Sequence, residues 1–120
     1  MIIDLPYPPS SNRYWRNYRG RMVVSEEAQQ YKQVVMLLAN AADLRPIAKP
    51  QSVAVRMTIR RPAQRRDIDN HLKVTLDSLQ GYLYENDSQI VALSAFMTDD
   101  KKNPGITVEC YPAIVGKPSN

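Results

Sequence analysis

Val53-Ala54-Val55-Arg56-Met57-Thr58-Ile59-Arg60 alternates apolar side chains with small or basic ones, and soon afterwards Arg65-Arg66-Asp67-Ile68-Asp69-Asn70-His71-Leu72-Lys73 changes the period. The first run has the two-residue repeat of a strand with one face in a core. In the second, Asp67 and Asp69 flank Ile68, so an extended backbone sends both carboxylates from one face while Ile68 turns inward. From Asn70 onward the apolar spacing is helical: Leu72, Leu76, Leu79 and Leu83 form one stripe, and Gly81 is placed to end the helix or break its last turn. A strand therefore feeds a helix through an arginine-rich loop.

On the N-terminal side, residues 2–5 read as a short strand stopped by Pro6, Pro8 and Pro9, which lack the N–H that a central ladder needs. Ser25 is a candidate N-cap with Glu26 and Glu27 in the first turn, and Ala28, Tyr31, Val35, Leu38 and Ala42 mark the buried stripe of a helix that Pro46 closes. Residues 47–51 are a linker. On the C-terminal side, residues 90–97 read as a strand, 99–105 as a hairpin loop around Asn103-Pro104-Gly105, and 106–111 as the partner strand. The elements run β, basic segment, α, β, α, β, β. This order predicts an α/β fold of the α+β type: one domain over residues 1–120, a mixed sheet with two main helices packed on it, and a loosely held tail over 112–120.

The chain has 120 residues, enough to bury a core without disulfides, and its one cysteine, Cys110, supports none internally. With no CxxC pair, histidine cluster, signal-peptide pattern or long apolar run, the composition argues against zinc, secretion and a membrane span, and for a reducing cytoplasm. The net charge of +4 hides an asymmetry: residues 1–66 hold 12 Lys/Arg against 4 Asp/Glu, residues 67–120 hold 4 against 8. A basic surface for a polyanion beside a small acidic site fits that split.

Two stretches carry candidate chemistry. In Asn12-Arg13-Tyr14-Trp15-Arg16-Asn17-Tyr18-Arg19-Gly20-Arg21, arginines interleave with aromatics and Gly20 permits a turn. Guanidinium groups on phosphates and rings on unpaired bases would bind nucleic acid, whereas a half-buried strand with Trp15 in the core explains the aromatics equally well. Arg60, Arg61, Arg65 and Arg66 add positive charge beside the aspartates. Asp67 and Asp69 at a helix N-terminus, where the macrodipole favours anions, can share a divalent cation, and Lys73 lies one turn from Asp69 on the same face. Asp87, in Glu85-Asn86-Asp87-Ser88-Gln89 at a strand entrance, is a third acid for the same ion. The plain alternative makes Asp67 an N-cap and Asp69 with Lys73 a surface pair. Asp77 is a helix-face partner of Lys73 or a group behind the ligands, and His71 at a helix start suits the surface better than general-base work.

Three motifs in order, Leu5-Pro6-Tyr7-Pro8-Pro9-Ser10 with Asn12-Arg13-Tyr14, Asp67-Ile68-Asp69-Asn70 with Lys73 and Asp77, and Asp87-Ser88-Gln89-Ile90, resemble the RusA family of Holliday-junction resolvases over most of the chain. The resemblance implies a small α/β homodimer that cleaves four-way, branched DNA with magnesium as cofactor, manganese being able to substitute. It implies that Asp67, Asp69 and Asp87 hold the metal and that Lys73 is catalytic with them; Asn70 and Asp77 are read from their spacing as groups behind the ligands. Beside the resemblance, the two basic segments themselves offer Arg13, Arg16, Arg19, Arg21, Arg60, Arg61, Arg65 and Arg66 to DNA phosphates. One position departs from the family pattern: an acid often precedes the third aspartate, and here that place is Asn86, with Glu85 one residue earlier. Another metal nuclease of restriction or flap type, and a DNA-binding module without catalysis, are the readings that compete with a resolvase.

Overall fold

The computed structural model describes residues 1–9, 15–62 and 69–114, with the side chains at 15, 16 and 69–71 outside that description. Its elements are β1 (Ile2–Leu5), β2 (Trp15–Tyr18), β3 (Arg21–Val24), α1 (Glu26–Ala41), β4 (Val53–Arg61), α2 (Asp69–Ser78), a 3-10 turn (Asp87–Gln89), β5 (Ile90–Asp99) and β6 (Gly105–Pro112). β4 is the centre of a four-stranded sheet ordered β1-β6-β4-β5, and the mixed sheet with two helices is the expected α+β class. The alternation of β4 holds: Val53, Val55, Met57 and Ile59 are buried, while Arg56 on the opposite face is exposed. Ile3 and Leu5 of β1 and Ile106, Val108 and Cys110 of β6 complete the sheet's share of the core. Burial raises the pKa of the Cys110 thiol.

β5 and β6 do not form the hairpin that their closeness in sequence suggests. β5 pairs parallel to β4, with Val55 beside Leu93 and Ile59 beside Met97, and β6 pairs antiparallel to β4 on its other edge. The reason is the demand of β4: its inner face is apolar along its whole length and its backbone needs partners on both sides. The connection from β5 to β6 therefore crosses the end of β4. The Asp100 N–H donates to the Arg61 carbonyl at 2.8 Å, and the Arg60 guanidinium donates to the Asn103 carbonyl at 3.0 Å and to Thr107 Oγ1 at 2.7 Å. Gly105 allows this crossing, since a Cβ there would stand 2.8 Å from the Leu5 carbonyl oxygen and 2.7 Å from Arg60 Nη2.

The helices pack on the inner face with two shifts from the expected stripes. In α1 the buried residues are Ala28, Tyr31, Val35 and Ala39, and Leu38 and Ala42 are exposed; the small alanines let the helix lie close, and Leu38 turns to its rim. Ser25 caps α1 as expected, its Oγ accepting the Ala28 N–H at 3.2 Å. The helix ends at Ala41, and Asp43 with φ 53° turns the chain away before Pro46. In α2 the buried face is Val74, Thr75 and Ser78, continued by Leu79 just past its end, with Leu72 and Leu76 only partly covered. Ser78 is tolerated there because its hydroxyl donates to the Val74 carbonyl at 2.7 Å. Leu83 is buried beyond the helix, in the return that Gly81 opens with φ 88°.

The basic segment is a separate two-stranded hairpin, β2 with β3, pairing Trp15 with Val24 and Tyr18 with Arg21. Its two-residue loop, Arg19-Gly20, has φ 52° and 77°, the double positive φ of a type I′ turn, so Gly20 does permit the turn expected of it. Pro112 ends β6, the Ala113 N–H donates to the Ser52 carbonyl at 2.8 Å, and residues 115–120 of the expected tail lie outside the described residues.

Gly105→Ala is expected to destabilise the fold by about 1–3 kcal/mol through forced backbone displacement at the crossing. Urea unfolding followed by circular dichroism measures it, and an unchanged midpoint would mean that the crossing adapts freely.

Candidate functional site

The residue that opens α2 is Asp69, and Lys73 follows one turn later with its side chain exposed. Asn70 and His71 lie in the first turn of the same helix, with side chains outside the described residues, while Asp67, Arg65 and Arg66 fall in residues 63–68, also outside them. Asp87 reaches the surface from a different element, at the first position of the 3-10 turn that leads into β5.

That turn is held from several sides. Asn86 accepts the Ser88 N–H on Oδ1 at 2.9 Å, and Gln89 Oε1 accepts the Asn86 N–H at 2.9 Å, a reciprocal capping box. Gln89 is itself buried and donates from Nε2 to the Ile47 and Gln51 carbonyls, both at 2.9 Å, pinning the turn to the loop before β4. Tyr84 is buried beneath it, donating its hydroxyl to the Leu76 carbonyl at 2.5 Å. Burial, reinforced by Cys110 and then by the carboxylates of Asp87 and Asp77, drives the Tyr84 phenol far above its ordinary pKa, so it remains a neutral donor. Asn86, where the family pattern often has an acid, acts here as a cap, and Glu85 accepts the Lys49 N–H at 3.3 Å.

Asp77 lies eight residues along α2 from Asp69, about 12 Å by the helical rise. One of its oxygens takes Lys32 Nζ of α1 at 2.9 Å, and the other accepts from Gln80 Nε2 at 3.3 Å. Gln80 Oε1 in turn accepts the Asp87 N–H at 2.9 Å. The turn that carries Asp87 is thereby tied to the C-terminal half of α2, near Asp77, while Asp69 and Lys73 occupy the N-terminal half. Among the described residues no three acidic, histidine or cysteine side chains gather as a metal-holding group, and Asp67 and the side chain of Asp69 are not among those residues.

The basic side chains divide into two kinds. Arg19 and Arg21 are exposed at the tip of the β2–β3 hairpin, with Arg19 over the Tyr18 ring at 5.3 Å, and they line a hollow of about 490 Å³ with Tyr18 and Val23. Arg60 and Arg61 are engaged within the fold, Arg60 as described and Arg61 with Asp99 at 2.7 Å. Arg16 lies in β2 with its side chain outside the described residues, and Arg13 falls in the segment 10–14, also outside them. Arg56, not singled out by the motifs, is exposed on the open face of the sheet over the Phe96 ring at 5.0 Å. Among the described residues no helix is long and apolar enough to cross a membrane.

The family model for the endodeoxyribonuclease RusA matches residues 6–111, a span that takes in both acidic motifs and the basic hairpin. The chain belongs to the RusA family. Its relatives include the crossover junction endodeoxyribonuclease RusA of Escherichia coli strain K12, 40% identical over 91 residues that cover 74% of this chain and 75% of that protein. The proteins of the same name from Shigella sonnei and from Enterobacteria phage 82 are 38% and 37% identical over the same length. Sequence reasoning missed Gln80 and the capping role of Gln89; for the latter the signal was the Asn86-x-x-Gln89 spacing of a capping box.

Lys32→Met should change stability by less than about 1 kcal/mol, because the pair it makes with Asp77 is more than a third exposed on both sides. Thermal unfolding checks this, and a larger loss would mean that the bridge is a structural clamp between α1 and α2.

Proposed function

We propose that this chain is a divalent-cation-dependent, structure-selective endodeoxyribonuclease that resolves four-way (Holliday) DNA junctions by paired phosphodiester hydrolysis, in recombination and repair, in the cytoplasm. The observation that carries the reading is the similarity to crossover junction endodeoxyribonucleases across both acidic motifs, with Asp69 and Lys73 on one turn of α2.

The donor set suits magnesium, with manganese as a substitute. Carboxylate oxygens are the hard ligands these ions take, and magnesium keeps several waters when one or two carboxylates hold it. Asp67 and Asp69 would hold the ion at the start of α2, and Asp87, on the turn tied to the other half of that helix, would have to reach toward them to supply the third carboxylate. When bound, the ion supplies Lewis acidity to a non-bridging phosphate oxygen and lowers the pKa of a water. Lys73, exposed one turn from Asp69, places its ammonium where charge develops on the phosphate, and Asn70 and Asp77 steady the groups around it. Arg13, Arg16, Arg19, Arg21, Arg65 and Arg66 would hold DNA phosphates, and Arg60 and Arg61 would join them by exchanging their partners within the fold for phosphate.

Paired nicks need two sites related by the junction's approximate two-fold axis, so the working unit in this reading is a homodimer. β5 offers a surface for it: residues 90–98 carry no charge, the strand is at the sheet's edge, and Val91, Leu93 and Phe96 are 44–52% exposed. Long, uncharged edge strands of this kind are ordinarily covered.

Asp67→Asn, Asp69→Asn and Asp87→Asn should each abolish cleavage of a synthetic four-way junction while leaving junction binding intact or tighter. Wild-type turnover by any one of them removes that residue from the site. The double change Arg19→Ala with Arg21→Ala should flatten the dependence of log affinity on log salt by about 0.9 for each phosphate that these arginines neutralise. An unaltered slope would take the hairpin tip out of the DNA footprint.

A further inference from the structure

The polar contacts at the C-terminal end of α2 form one connected path: Lys32 of α1 to Asp77 at 2.9 Å, Asp77 to Gln80 at 3.3 Å, and Gln80 to the Asp87 N–H at 2.9 Å. Gln80 is the joint of that path because an amide both donates and accepts, and here it uses one function toward each acid. A glutamate in its place would keep the bond to the Asp87 N–H but face Asp77 as a like charge, and an alanine would keep neither bond. The backbone around it is already fixed, with the Gly81 N–H donating to the Tyr84 carbonyl at 2.7 Å and Tyr84 anchored to Leu76, so the side chain has one consistent place to reach. Gln89 fastens the same turn to the loop before β4, and the Gln80 side chain ties it to Asp77 of the helix that opens with Asp69.

We propose that Gln80 is a positioning residue that sets the placement of Asp87 relative to α2, and with it the affinity of the site for its divalent cation. The proposal rests on the reading of Asp87 as a carboxylate that serves that cation. Gln80 touches neither DNA nor ion in it; it acts through the backbone of Asp87 alone. Groups that orient a ligand from behind commonly change metal affinity by about 10- to 100-fold when removed.

The test measures Mn2+ binding to the DNA-free protein by electron paramagnetic resonance, and the Mg2+ concentration that gives half-maximal junction cleavage. Gln80→Ala should weaken Mn2+ binding and raise the Mg2+ midpoint by about tenfold or more, with the cleavage rate at saturating Mg2+ and the junction affinity in its absence near wild type. Gln80→Glu should be impaired similarly, and adding Asp77→Asn to it, which returns a donor across the same gap, should restore the midpoint toward wild type. Unchanged Mn2+ affinity in Gln80→Ala, or failure of the double variant to recover while its thermal stability is normal, overturns the proposal. Full wild-type cleavage in the presence of a chelator, or by Asp87→Asn, defeats instead the reading of the site on which it stands.

Discussion

The fold depends on the pairing of β4 along both of its edges. Its inner face, Val53, Val55, Met57 and Ile59, is buried from end to end, so a strand must lie on each side to satisfy the backbone that this burial removes from water. A parallel partner needs a crossover, and α2 with the turn after it is that crossover. Because β5 starts beside Val53, the crossover must return to the beginning of β4, which places the turn bearing Asp87 next to the loop that precedes β4. The acids on α2 and on the turn are thus parts of one β4-α2-β5 unit.

Within that unit the polar groups are matched to their surroundings. Gln89 is buried, yet both of its functions are used: the amide nitrogen on two carbonyls of the preceding loop, the oxygen on the Asn86 N–H. Leaving either unmet would cost about 1–3 kcal/mol, so the turn is specified by hydrogen bonds rather than by apolar packing. The residue Asp87 is left exposed while its backbone N–H is held by Gln80.

Strand β4, the cap at Ser25, the turn at Gly20 and the start of the second helix were legible in the sequence because each depends on local period or local backbone chemistry. The pairing of β5 and β6 was not, because both strands are apolar neighbours in the chain and the choice between them is made by β4, far from either in sequence. The leucine stripe of α2 misled in a related way: Thr75 and Ser78 are buried where hydropathy places Leu72 and Leu76, and Ser78 is accommodated because its hydroxyl bonds a carbonyl of its own helix. At the candidate site the sequence shows the carboxylates as residue types in a spacing. The glutamine that connects them was not legible, because a single Gln carries no periodic signal and its partners come from Asp77 and from a turn seven residues further along.

The account is tested most directly by incubating the purified protein with a synthetic four-way junction and with a linear duplex of matching sequence, with and without magnesium, and mapping the cut strands. It predicts paired nicks in strands of like polarity on the junction, only with the metal, and little cutting of the linear duplex. Absence of cleavage in magnesium and in manganese, or equal cutting of both substrates, would contradict it.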